Sequence, residues 1–411
     1  MKPVFLWCLL LASPLRAQTT LEDYRSAVAD YSWRLKSAFS QRDEAYERME
    51  QARTGFLPRL SLDGSFAANV HRIDDRRRWT FSLEPRIVQL LYGGGAVKAA
   101  FRQAELGYDI ALCDEEFARL DVRYAADYAY WNLSAMQLFD ASMREYVGII
   151  RSLKAVVDRR FAEGYIAKGD VLMIDTRLSE AEYQAVTAEQ NCAVALHNFN
   201  ILRGAAPDEA VELADGIRDT LPMPGRVAPG EALLRRPDYA AARLRAEQAE
   251  AAVRSARAAY NPQLSVGIGS PWQSYTPNVT GATYLDGAVY VQLSVPIFHW
   301  GERRRAVGAA RAVQLQSEWS AAAVHDDVVR EEMNGWTALV ETQAQVVSTE
   351  RSLRIAGENL DISTYSYGEG LATILDVLQA QLSWIQLYTN SIQARFGFAL
   401  AVSDYARITA Q

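Results

Sequence analysis

Phe56-Leu-Pro-Arg-Leu-Ser-Leu62 returns, altered but recognisable, as Tyr260-Asn-Pro-Gln-Leu-Ser-Val266. Two more pairs keep the same order: Leu91-Tyr-Gly-Gly-Gly95 against Ile297-Phe-His-Trp-Gly301, and Glu163-Gly-Tyr-Ile-Ala-Lys-Gly-Asp-Val-Leu172 against Glu369-Gly-Leu-Ala-Thr-Ile-Leu-Asp-Val-Leu378, all at offsets of 204 to 206 residues. One order at one offset means a single duplication rather than an array of short repeats. Pro207, Pro222, Pro224 and Pro229, with Gly204, Gly216, Gly225 and Gly230, mark a breaker-rich linker between the copies. The expected organisation is a leader over 1–17, a first repeat over 18–204, a linker over 205–229 and a second repeat over 230–411.

Each copy has the same plan. An opening helix, 21–55 and again 230–258, is rich in Ala, Glu, Arg and Gln with apolar residues at helical spacing, and Pro58 and Pro262 end it. Two strands follow with period 2. Leu60, Leu62, Phe66, Ala68 and Val70 alternate with Ser61, Asp63, Ser65, Asn69 and His71, and Trp79, Phe81 and Leu83 alternate with Thr80, Ser82 and Glu84. In the second copy Leu264, Val266 and Ile268 alternate with Ser265, Gly267 and Gly269, and Val289, Val291, Leu293 and Val295 with Tyr290, Gln292 and Ser294. A long helix comes next, 96–161 and 302–367, each roughly 100 Å at ~1.5 Å per residue. A turn near Gly164 or Gly370 leads into a returning helix, 171–203 and 371–407. Opening and returning helices together match the long one, so they can stack end to end beside it as a tall helical wall. Leu178, Ala181, Ala185, Ala188, Cys192, Ala195, Phe199 and Leu202 recur at steps of three and four, a seam whose alanines permit close approach, although an ordinary coiled coil shows the same pattern.

Four strands with one apolar face neither close on themselves nor tolerate open edges in lipid, so a membrane role demands several copies. Their length, about 9 to 12 residues, suits a tilted strand crossing hydrocarbon. Trp79, Trp272, Tyr275 and Tyr284 stand near strand ends, where an interfacial aromatic girdle belongs. Alternation alone also fits soluble hairpins packed on the helices. The start of the chain favours the membrane: Met1-Lys2, an apolar run from Val4 to Ala12 and small or turn-forming residues to Ala17 read as a secretory signal, too short to span a bilayer. Cys8 lies inside that run, so the lipid-attachment pattern is missing and the mature N-terminus is expected to be unacylated. Cys113 and Cys192 fall within helical patterns, where packing is the commoner role.

A net charge of −7 and a pI near 5.4 give no electrostatic footprint for nucleic acid. Neither Gly93 to Gly95 nor Gly164 to Gly169 continues as a phosphate-binding loop, and His71, His197, His299 and His325 lack zinc spacing. No nucleophile, base and acid set stands out. The chain is therefore expected to hold no catalytic residues, metal or cofactor.

At this point the residues resemble the outer-membrane efflux protein family, of which TolC is the name-giver. Arg235-Arg-Pro-Asp238 leading to Ala258-Ala-Tyr-Asn-Pro-Gln-Leu-Ser265, the junction Val295-Pro-Ile-Phe-His-Trp-Gly301 and the segment Gly370-Leu-Ala-Thr-Ile-Leu-Asp-Val-Leu-Gln-Ala380 carry the resemblance, which covers essentially the whole mature chain. It implies an α+β membrane protein: a homotrimer whose protomers each give four strands to a twelve-stranded β-barrel in outer-membrane lipid, continuous with a helical tunnel in the periplasm. It further implies a passive export duct of a tripartite efflux or type I secretion system, met by a periplasmic adaptor and an inner-membrane pump. In that family the periplasmic entrance is narrowed after the second-copy turn, at positions matching Asp376 and Tyr367. This chain departs from the pattern with Gln379 where a second acid stands and Ala372 where a gating Arg stands.

Three copies of Asp376 would make an acidic ring, while a helix cap is the alternative role, one that Asp170 suits equally in the first copy. The turns around Gly164, Gly169, Gly370 and Leu371 would meet the adaptor, and their glycines equally suit helix C-caps. A rival of another class is a periplasmic coiled-coil scaffold or adhesin that never enters the membrane.

Overall fold

The computed structural model describes residues 18–68, 70, 79–218, 221–269, 272–273, 284–285 and 288–411. The expected leader 1–17, together with Asn69, His71 and Tyr275, lies outside the described residues. The described residues fall into two compact units, each drawn from both repeats: one from within 37–117 and 236–327, the other from within 18–36, 118–235 and 328–411.

The elements follow the duplication. α1 (Leu21–Tyr31), α2 (Trp33–Arg53), β1 (Arg59–Ala68), β2 (Trp79–Tyr92), α3 (Ala96–Ala162) and α4 (Lys168–Leu202) are echoed by α5 (Pro229–Arg235), α6 (Pro237–Ala258), β3 (Gln263–Gly269), β4 (Trp272–Gln273), β5 (Tyr284–Leu285), β6 (Ala288–Ser294), α7 (Glu302–Gly368) and α8 (Ile374–Ile408). The opening helix of each copy is broken in two. Pro237 drives Arg236 out of the helical region, to φ −70° and ψ 117°. Ser32 leaves at φ −51° and ψ 115°, and its Oγ accepts from Leu35 N at 3.3 Å to start the next helix.

In the unit that holds the sheet, the strands form an antiparallel meander. β1 pairs β2, β2 pairs β3 and β4, and β6 and β5 pair β3 and β4 in turn, making four lanes with β1 and β6/β5 at the free edges. Facing residues share a side of the sheet. Leu60↔Ile87, Ile87↔Ile268, Ile268↔Val289 and Val266↔Val291 therefore set Leu60, Leu62, Ile87, Ile268, Val289, Val291 and Leu293 on one side, and all of these are exposed. The other side carries Ser61, Asp63, Arg86 and Gln292, with Arg86 paired to Asp63 at 3.3 Å. At the end where the helices attach, Asn261 Nδ2 donates to Gly94 O at 2.9 Å, and a Cβ on Gly94 would run into the Asn261 side chain. The glycine run is thus a strand-to-helix junction.

The helical unit packs its apolar residues inward. Met143, Tyr146, Val147, Ile150, Leu153 and Val157 of α3 meet Ile174, Ala181 and Ala188 of α4 and Ile374, Val377, Leu378 and Ile385 of α8. Buried Ile174, Ala181, Ala188 and Ala195 recur at seven-residue steps, the close-packed seam expected of α4. The proline-rich 205–229 segment is pinned to this unit: Ile217 N donates to Ser134 Oγ and Val227 N to Tyr405 Oη, each at 2.9 Å. Among the described residues no helix is long and apolar enough to cross a membrane.

Candidate functional site

Two turns lie in the helical unit, α3 to α4 and α7 to α8, and both are made the same way. Tyr165 N donates to Arg160 O at 2.9 Å and Gly164 N to Phe161 O at 2.9 Å; Leu371 N donates to Ser366 O at 2.8 Å and Gly370 N to Tyr367 O at 3.1 Å. Gly164 at φ +79° and Gly370 at φ +78° supply the left-handed residue this helix ending requires. Gly169 lies inside α4 without a positive φ and has no such task. The residue after each capping glycine usually folds its apolar side chain back on the helix. Here Tyr165 is 77% and Leu371 81% exposed, so both tips present apolar surface outward.

The tips differ in how their returning helices begin. α4 starts after Ala167, which offers no side-chain cap. α8 starts after Thr373 with a reciprocal box: Asp376 N donates to Thr373 Oγ1 at 3.3 Å, while Thr373 N and Oγ1 donate to Asp376 Oδ2 at 2.8 and 2.7 Å. The Thr373 hydroxyl, then its backbone N–H, holds the Asp376 carboxyl below its ordinary pKa. Asp376 remains exposed, so the cap leaves an ionised acid facing solvent.

Tyr367 is only 3% exposed. The Arg160 guanidinium lies 4.7 Å from its ring centroid and donates through Nη2 to Gly368 O at 2.7 Å. Arg160 thus straps the end of α3 to the end of α7. Burial pushes the Tyr367 phenol up, against the pull of Arg160. Around this strap is a cleft of about 840 Å³, lined by Arg159, Glu163, Asp170, Ala372 and Thr373 among others. Gln379 is exposed and lines a neighbouring cleft of about 370 Å³ with Leu172, Arg177 and Leu375. Two residues on, Gln381 is 1% exposed, and among the described residues neither amide atom has a hydrogen-bond partner.

Asp376, Tyr367, Gly370 and Leu371 therefore gather at one turn, with Gln379 a turn away, while Gly164 and Gly169 belong to the companion turn. Sequence reasoning missed Arg160 and Tyr165. Tyr165 stands 206 residues before Leu371, so the repeat offset could have found it; Arg160 carried no local signal. Trp79, Trp272 and Tyr284 lie on β2, β4 and β5, toward the end of the sheet away from the helices, as Ala68↔Trp79 and Gln273↔Tyr284 pair there.

A family model described as outer membrane efflux protein matches residues 17–204 and 228–396. The outer membrane protein TolC of Vibrio cholerae is 22% identical, over 95% of this chain and 90% of its own length. The pyoverdine export outer membrane protein OpmQ of Pseudomonas aeruginosa is 25% identical over 73% of this chain and 64% of its own length. Among solved structures, the outer membrane protein VceC of Vibrio cholerae superposes with a TM-score of 0.81 at 20% identity, covering 95% of this chain and 96% of that one. The open state of the Neisseria gonorrhoeae MtrE outer membrane channel gives 0.79 at 18%, covering 95% and 88%. These structures share the fold.

Proposed function

The chain belongs to the outer membrane efflux protein family, and from that premise we propose how its parts make an export duct. It is an outer-membrane channel of an efflux or secretion system. One observation carries the mechanism: a four-lane antiparallel sheet with an exposed apolar face, a polar face and two free edges. In lipid such edges must be paired, and closure by further copies puts the apolar face toward hydrocarbon and Asp63, Arg86 and Gln292 toward a water-filled lumen. Three copies then give a twelve-stranded barrel.

The helices support the same closure. Leu172, Tyr183, Val186, Val194 and Ile201 form an exposed apolar stripe on α4, and Val340, Val347, Ile355, Ile362 and Tyr365 form one on α7. Neighbouring protomers bury these stripes against each other, so the tunnel wall is completed by the trimer in the periplasm. The two tips form the periplasmic entrance, and Gly164, Gly169, Gly370, Leu371 and Tyr165 meet a periplasmic adaptor, through which an inner-membrane pump drives export. Asp376 supplies one acid per protomer to a ring that attracts cations, with Gln379 beside it. Tyr367 acts as the anchor for Arg160, so opening requires the strap between α3 and α7 to give way. The duct itself performs no catalysis.

Single-channel conductance of detergent-purified protein in planar bilayers tests this reading. Discrete openings are expected, with divalent cations blocking the wild type more strongly than Asp376→Ala. Equal block would reduce Asp376 to its cap. A folded sample that never conducts, and that washes from membranes with salt, would favour the coiled-coil scaffold.

A further inference from the structure

After β6 the chain reads Val295-Pro-Ile-Phe-His-Trp-Gly-Glu-Arg-Arg-Arg305. Ile297 and Trp300 are each 91% exposed and Phe298 is 69% exposed. The segment is nonetheless held in place. His299 packs on the Tyr260 ring at 5.8 Å, Tyr260 Oη donates to Glu302 Oε1 at 3.0 Å, and Glu302 N donates to His299 O at 2.8 Å. Between these anchors Trp300 sits at φ +48°, a left-handed backbone that a bulky residue adopts at a cost. The result is an aromatic pair, Phe298 and Trp300, with ring centroids 4.9 Å apart, turned to solvent.

Arg303, Arg304 and Arg305 follow, all exposed, and among the described residues none has an ion pair. The patch's own acid, Glu302, is engaged by Tyr260. Three arginines in a first helical turn oppose the positive end of the helix dipole, so folding gains nothing from them there. The first repeat has the same arrangement in milder form: exposed Leu91 and Tyr92, then exposed Lys98 at the spacing that separates Ile297 from Arg304. Both junctions lie at one end of the sheet, as Tyr92↔Leu264 and Gln263↔Ser294 show. Moving along the strands toward the helices, an exposed apolar face gives way to aromatic residues and then to free cations.

We propose that this rim is a binding surface for anionic phospholipid headgroups, with Arg303, Arg304, Arg305 and Lys98 holding lipid phosphates and Phe298 and Trp300 seated at the boundary with the acyl chains. The proposal rests on the reading that the sheet lies in a bilayer. Continuity with the apolar face supplies the level of the membrane surface, where aromatic rings settle. Guanidinium groups suit phosphate. Consecutive helical residues fan out by about 100° each rather than converging, which fits a layer of headgroups and not a single phosphate ion.

The test uses the full chain in vesicles of phosphatidylcholine alone or mixed equally with phosphatidylglycerol, reading which lipid stays with the protein on gentle detergent extraction. Wild type is expected to retain phosphatidylglycerol selectively. Each cation at an anionic surface is worth about fivefold in binding, so changing all three to Gln (Arg303→Gln, Arg304→Gln, Arg305→Gln) should cost on the order of a hundredfold at low salt. Lys at the same three positions should keep most of the preference. Conductance in pure phosphatidylcholine checks that each variant is folded; if the triple variant fails that check, Arg304→Gln alone should show about a fivefold loss. Equal retention by wild type and Gln variant, or retention abolished by inorganic phosphate, overturns the proposal while wild-type conductance leaves the duct standing. Absence of both insertion and conductance from the wild type overturns the duct and the rim together.

Discussion

Ile150 on α3 and Val291 on β6 are both apolar residues in regular secondary structure, yet Ile150 is fully buried while Val291 is exposed along with its neighbours Val289 and Leu293. In the helical unit the chain solvates itself: seams at three, four and seven residues meet across α3, α4 and α8. In the sheet the apolar face stays uncovered among the described residues. The difference teaches that the helical unit already owns a buried core within one protomer, whereas on the proposed closure the sheet's apolar face is covered only by lipid.

The sharpest way to break that comparison is to damage each side separately. Phe199 on α4 is fully buried and stacks on Tyr24 with centroids 3.9 Å apart and planes 9° from parallel. Phe199→Ala should destabilise the helical unit by about 3–5 kcal/mol, read by denaturant unfolding followed by circular dichroism, in detergent and in vesicles alike. Val291→Arg should cost roughly 2–4 kcal/mol in a bilayer if it lies near the midplane. That loss should appear as a lower yield of folded trimer in vesicles, with helical unfolding unchanged. Gln292→Arg, on the polar face, should leave the yield intact; equal damage from both would remove the distinction between the faces.

Smaller effects sharpen the picture at the tip. Gln381 lies between buried Leu378 and Ile385 with both amide atoms unpartnered among the described residues, a cost on the order of 1–3 kcal/mol. Gln381→Leu should therefore raise the melting temperature of the helical unit; a fall would mean that the amide is satisfied in the assembled duct. The smallest effect belongs to Asp376. Its carboxyl is lowered by Thr373, so the capping contribution is complete above the ordinary carboxylate pKa of about 3.9 and fades as pH falls through the lowered folded value. Asp376→Asn should melt slightly below wild type at neutral pH, and the gap should close under acid. A gap that persists at low pH would show that the loss is not one of charge.

Much of this is legible in the sequence. The four alternating runs, both long helices and both returning helices were readable because periods of 2 and 3.6 are written in adjacent residues, and the duplication verified each reading at a second address. The break at Arg236 was also in reach, since Pro237 follows it. Ser32 gave no comparable warning. At the tip, Asp376 was legible with two roles, and only the Thr373 box revealed that it caps α8 while staying exposed. Asp170, equally suited on paper, begins a helix whose N-cap is Ala167 and has no such box to join.

What the sequence by itself determined is the order and type of the elements, their twofold repetition and the family to which they belong, because all of these depend on local spacing and on similarity at a fixed offset. Tertiary structure alone decided that Arg160 straps Tyr367 and Gly368 from more than two hundred residues away, that Tyr367 is buried, and that Trp300 is held outward beside three arginines with no ion pair among the described residues. Those facts depend on which helix ends meet and which surfaces stay uncovered, and the chain acquires such relations only when distant segments pack.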